Sequence, residues 1–100
     1  MKQDTAQLSR PQILVARARR AVARGEHRQA MVALREACAL KEQDARLWAL
    51  FGNACARLNR DADAERAFGQ ALYLRQREQD DARAQVLRGI IERLRVGRAA

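Results

Sequence analysis

One hundred residues suffice for one folded unit and leave no room for a second independent core. Hydrophobic residues make up 48% of the chain and aromatics only 4%, so any core must come from alanine-rich segments that approach closely. Twenty basic residues against twelve acidic ones leave a net charge of +8; no apolar run has membrane-spanning length and the polar start Met1-Lys2-Gln3-Asp4 lacks a signal-peptide core, so membrane insertion is excluded and a cytoplasmic protein is expected.

Alanine, leucine, arginine and glutamine favour helix almost throughout. Residues 1–8 carry no periodicity and are expected to be disordered. Ser9-Arg10-Pro11-Gln12 then reads as a helix start. The Ser9 hydroxyl can cap, Pro11 falls where a missing amide is no loss, and Gln12 can complete a capping box. Ile13, Leu14, Ala18, Ala21 and Val22 follow at helical spacing, and Gly25 offers a left-handed stop. A second helix begins near His27 or Arg28, turns Ala30, Leu34, Ala37 and Cys38 inward, and fades at Lys41-Glu42-Gln43. Asp44 caps a third, whose apolar stripe is Leu47, Trp48, Phe51, Cys55 and Leu58. Past the turn at Asn59-Arg60, Asp61 is expected to cap a fourth helix that buries Ala64, Ala67, Phe68, Ala71 and Leu72. Asp80 and Asp81 suit the positive N-terminus of a fifth helix, with Val86, Leu87, Ile90, Ile91 and Leu94 on its apolar face and Gly97 at its end. The fold class is all-α, and turns this short make consecutive helices antiparallel.

Catalytic chemistry has little to build on. Cys38 and Cys55 lack metal-ligand spacing, sit among apolar neighbours and read as buried free thiols in a reducing setting. His27, the only histidine, falls in a turn and is expected to be solvated. Asp61, Asp63 and Glu65 cluster at a helix start, where capping accounts for them. No phosphate loop, nucleophile elbow or metal motif occurs, so neither an enzyme nor a cofactor or metal is expected.

Sliding the chain against itself brings out a period of 34 residues. Ala30, Ala33, Ala37 and Leu40 recur as Ala64, Ala67, Ala71 and Leu74. Size classes recur too: Leu14 becomes Trp48, Ala18 becomes Gly52, Ala21 becomes Cys55, Gly25 becomes Asn59, and Leu34 becomes Phe68. Small residues let paired helices approach, and the large ones fill the space left between them.

In these residues the chain resembles the tetratricopeptide repeat family, whose motif runs W-x2-L-G-x2-Y, then A-x3-F, then P. Residues 45–78 hold Trp48-x2-Phe51-Gly52-x2-Cys55, then Ala64-x3-Phe68-x2-Ala71, and residues 11–44 form a weaker copy through Leu14, Ala18, Ala21, Ala30, Leu34 and Ala37. Cys55 and Ala21 replace the motif's tyrosine, Gln76 and Glu42 its proline, and Arg17 a large apolar residue. The resemblance implies an α-solenoid of two antiparallel hairpins wound as a right-handed superhelix, closed by a capping helix at about 80–97 within one domain, 9–97. Homodimerisation through Leu87, Ile90, Ile91 and Leu94 is the alternative to capping. A monomer or weak homodimer is expected.

The same resemblance implies a concave groove, lined by the first helix of each hairpin, that receives a peptide. Carried onto this chain, its side chains are Gln12, Val15, Arg19, Arg46, Leu50, Asn53, Arg57, Arg83 and Leu87. Asn53 matches a family asparagine that hydrogen-bonds a ligand backbone, and the arginines favour a carboxylate-bearing ligand. The carboxylate clamp of chaperone-binding members is not matched, because Val15, Arg19, Leu50, Asp80 and Ala84 stand in its places beside Asn53.

The expected function is thus a non-catalytic protein-binding module, a bacterial-type adaptor or assembly factor. Two alternatives remain, a self-associating structural unit and a nucleic-acid accessory protein suggested by the +8 charge. Against nucleic acid stands the expectation that Trp48, Phe51 and Phe68 are committed to the core, leaving Tyr73 alone for stacking. As a group, the excess arginines are expected to reflect genome composition and solubility.

Overall fold

The structure is a computed structural model that describes residues 7–99, so the disorder expected for residues 1–8 falls almost wholly outside the described residues. Five helices follow one another: α1 (Arg10–Ala23), α2 (His27–Leu40), α3 (Ala45–Arg57), α4 (Asp61–Arg77) and α5 (Asp81–Ala99). The start of α1 is set by the expected capping box. Gln12 N–H donates to the Ser9 hydroxyl at 3.2 Å, and Ser9 N–H donates to Gln12 Oε1 at 2.8 Å. Gly25 ends the helix at φ +75°. Glu26 N–H reaches back to the Ala21 carbonyl at 2.8 Å and Gly25 N–H to that of Val22 at 3.0 Å, which satisfies carbonyls the helix leaves free.

Asn59 does the same for α3, at φ +60°. Arg60 N–H donates to the Cys55 carbonyl at 2.9 Å and Asn59 N–H to that of Ala56 at 3.0 Å. The match between Gly25 and Asn59 therefore reflects one stop geometry used twice. A third copy closes α4 on Gln79 at φ +59°, with Asp80 N–H on the Arg75 carbonyl at 2.9 Å. Asp44 caps α3 through Oδ1, which accepts Arg46 N–H at 3.0 Å and Leu47 N–H at 3.4 Å. Asp80 caps α5 by accepting Arg83 N–H at 3.1 Å.

Several expectations need correction. Arg60, not Asp61, is the N-cap of α4, and it caps without a side-chain bond. Asp61 lies inside the first turn, where its charge still complements the helix dipole. Helix α5 runs through Gly97 to Ala99, since a glycine inside a helix costs only about 1 kcal/mol. Val86 is 62% exposed and Ile13 faces solvent, whereas Leu74 is buried and Leu72 only partly so.

Each helix packs on its neighbours in sequence and, among the described residues, on no other helix. That is the connectivity of a stack of hairpins, and it stretches the molecule to 53 × 32 × 19 Å. The tightest joint in the stack is between α3 and α4. A Cβ on Gly52 would stand 2.9 Å from the end of the Phe68 ring, and Phe68 is itself 2% exposed. In the first hairpin the equivalent positions are Ala18 and Leu34, both buried, so the larger residue on one helix is matched by the smaller on its partner. Leu87 and Ile91 of α5 join this core, with Ile90 and Leu94 packed against it, so the apolar side of α5 is largely spent on covering the second hairpin.

Cys38 and Cys55 are buried, free thiols. Burial, with Asp44 and Cys55 adding repulsion, pushes the Cys38 thiol up to about 12. Burial foremost, then Asp63, raises Cys55 as well. Because the thiolate is the reacting species, a maleimide or disulfide reagent at pH 8 is expected to leave the folded chain unlabelled. Labelling should proceed only at the rate of opening. Fast stoichiometric labelling in native buffer would contradict this packing.

Candidate functional site

Helices α1 and α3 lie side by side with a trough between them. Its deeper part, about 380 Å³, is walled by Val15, Arg19 and Val22 of α1 and by Leu50, Asn53 and Arg57 of α3, with Leu34 of α2 reaching its base. A second opening, about 510 Å³, continues it toward the helix starts past Gln12, Val15, Arg19 and Arg46. Val15 and Arg19 line both, so the two form one run along the helices. The walls arise from helical spacing alone. Residues 46, 50, 53 and 57 fall on one stripe of α3, and Trp48 and Phe51 on another.

The structure thus brings together Gln12, Val15, Arg19, Arg46, Leu50, Asn53 and Arg57. It does not bring Arg83 or Leu87 to the same place. Leu87 is 6% exposed and belongs to the core. The Arg83 guanidinium folds back on Asp80 at 2.9 Å. With α5 closing the stack, its first turn is occupied by its own cap.

Sequence reasoning missed His27. Its ring is half-buried and lines the deep end of the trough, and its Nδ1 is shielded from solvent with no hydrogen-bond partner among the described residues. It is the first residue of α2 and does not sit in a solvated turn. The only sequence signal was its place two residues past the Gly25 stop, where a helix had to begin.

Among the described residues, seven arginines are paired with acids: Arg10 with Glu36 at 2.9 Å, Arg60 at 3.0 Å and also Arg66 with Asp63, Arg75 with Glu78 at 3.1 Å, Arg83 with Asp80 at 2.9 Å, and Arg95 at 2.7 Å and also Arg98 with Glu65. Others outside the trough, such as Arg17, Arg28, Arg77 and Arg88, have no acidic partner among the described residues. These contacts hold Glu65, Asp63 and Glu36 below the usual carboxylate range. The Arg98 and Arg95 hydrogen bonds act so on Glu65, the Arg60 bond on Asp63, and the Arg10 bond on Glu36. In the trough, Arg19, Arg46 and Arg57 have no acidic partner among the described residues. Asp44, the carboxylate at its edge, is occupied by backbone N–H groups of α3. Asn53 is exposed, and its side chain makes no hydrogen bond among the described residues.

An apolar floor between unpaired guanidiniums, with one free amide, can take up a chain segment that carries both apolar and carboxylate side chains. Arginine offers carboxylates forked hydrogen bonds, and an amide can donate to and accept from a peptide backbone. No helix among the described residues is long and apolar enough to cross a membrane. Comparison with family models, with curated proteins and with solved structures found no match.

Proposed function

We propose that this chain is a non-catalytic protein-interaction module of the tetratricopeptide type, an adaptor or assembly factor that binds an acidic peptide segment between α1 and α3. The observation that carries the proposal is the make-up of the trough. Arg19, Arg46 and Arg57, without acidic partners among the described residues, stand around apolar Val15, Val22 and Leu50 beside the Asn53 amide. The tetratricopeptide reading is supported by the 34-residue recurrence of the Gly25 and Asn59 stops and of the Ala18–Leu34 and Gly52–Phe68 size pairs. Action as a monomer is supported by the use of Leu87 and Ile91 within the chain's own core. Free buried thiols suit the cytoplasm.

Selection from a displayed peptide library on the immobilised chain tests the reading. Enriched peptides should combine acidic with apolar residues. Their affinity should fall about fivefold or more on Asn53→Ala, the size of one lost hydrogen bond, and further on Arg46→Glu. Enrichment of peptides without acids, or affinities indifferent to both substitutions, would count against it.

A further inference from the structure

The opposite stripe of α3 carries a second recess, which the peptide reading does not use. Trp48 and Phe51, expected in the core, are only half-buried. They form the floor of a cleft of about 380 Å³ whose rims are Arg35 of α2 and Arg60, Arg66 and Gln70 at α4. The two rings meet edge to face, with centroids 6.4 Å apart and planes at 62°. The Trp48 indole is fixed by its Nε1–H, which donates to the Glu42 carbonyl at 2.9 Å. The Arg35 guanidinium lies 6.0 Å from the centre of the Phe51 ring and has no acidic partner among the described residues, so its N–H edge is open to an anion. Asp63, the one acid in the lining, is shared between Arg60 and Arg66. Each of these guanidiniums has five donors, which leaves N–H groups on both to spare.

Composition separates this cleft from the trough. The trough is floored by Val15, Val22, Leu34 and Leu50, whereas the cleft has Ala67 as its only aliphatic residue. It has little with which to hold an apolar peptide side chain. It offers aromatic surface for a planar ring, an amide for polar ring edges, and surplus positive charge for phosphate.

We infer that the cleft between α2 and α4, floored by Trp48 and Phe51, binds single-stranded nucleic acid, one base against the aromatic pair and the flanking phosphates on Arg35 and Arg66. The chain has one tryptophan, so its fluorescence reports this cleft and no other place. The test is a titration of the whole chain with an oligothymidylate of roughly 12 nucleotides at about 50 mM salt. Saturable quenching that weakens as salt rises is expected. Arg35→Glu should reduce affinity about tenfold or more. Arg88→Glu, which changes net charge equally but lies on α5 outside the cleft, should reduce it about threefold at most. Arg35 is exposed, and an unchanged circular dichroism spectrum would confirm that its variant folds. Polyglutamate should leave the emission unaltered. Three results would overturn the proposal: no quenching at low salt, equal losses from Arg35→Glu and Arg88→Glu, or equal quenching by polyglutamate.

Discussion

Gly52→Leu is expected to unfold the second hairpin, with loss of helical signal near room temperature. The position has no room. One added carbon would already stand 2.9 Å from the Phe68 ring, and that ring is locked in the core at 2% exposure. Overpacking typically costs about 1–3 kcal/mol and sometimes more, and a stack of two hairpins has little stability to lose. Gly52→Ala is a finer probe because two effects oppose each other. Alanine gains about 1 kcal/mol of helix propensity over glycine, and the contact with Phe68 takes it back. A net loss of up to about 2 kcal/mol is expected, or roughly 4–8 °C in Tm for each kcal/mol. Gly69→Ala in α4 is the control, since nothing lies within 4 Å of an added Cβ there. It should stabilise by about 0.5–1 kcal/mol. The double variant Gly52→Ala with Phe68→Leu copies the size pairing of Ala18 and Leu34. It should be more stable than the sum of its singles, with a coupling of about 1 kcal/mol or more. Additive singles would mean that the two positions do not share the joint.

The second large effect is on binding. Arg57→Glu should weaken an acidic peptide taken from the library about 10–100-fold, or about 1.4–2.8 kcal/mol, because an attractive partner becomes a repulsive one beside an apolar floor. Arg57→Lys keeps the charge but not the fork, so a smaller loss of about threefold to fivefold is expected. Replacing one peptide glutamate by arginine should restore part of the affinity to Arg57→Glu and lower it for the unaltered chain. Arg88→Glu on α5 should have little effect on either. Fluorescence anisotropy of a labelled peptide reads all four cases. Equal losses from Arg57→Glu and Arg88→Glu would reduce the effect to net charge.

Those two experiments rest on parts of the molecule that differed in how well the sequence displayed them. Helix limits set by local chemistry could be read directly: the Ser9–Gln12 capping box, the Gly25 and Asn59 stops and the Asp44 cap. The Gly52–Phe68 joint could be read too, because it follows from residue size at a fixed repeat spacing. Features decided by tertiary surroundings could not. Gln79 takes φ +59° with no glycine or asparagine to announce it, since the turn into α5 imposes that conformation. Asp61 looked like a cap, but the stop at Asn59 hands that place to Arg60. Trp48 and Phe51 matched core positions of the motif, yet the gap between α2 and α4 leaves them at the floor of a cleft.

The candidate site followed the same division. The groove side chains on α1 and α3 were carried over from the resemblance, with helical spacing supporting Arg46, Leu50, Asn53 and Arg57 on α3, and they line one trough. Arg83 and Leu87 were carried over from the resemblance alone, and in α5 local capping and core packing claim them. His27 could not be found by pattern, because its burial depends on how close α1 and α3 come to the start of α2.

The most direct test of the account is amide chemical-shift mapping of the labelled chain with a selected acidic peptide. The largest changes should fall on Val15, Arg19, Val22, Leu50, Asn53 and Arg57, with α5 unmoved. Changes centred on α4 and α5, or spread evenly over every arginine-bearing surface, would contradict it.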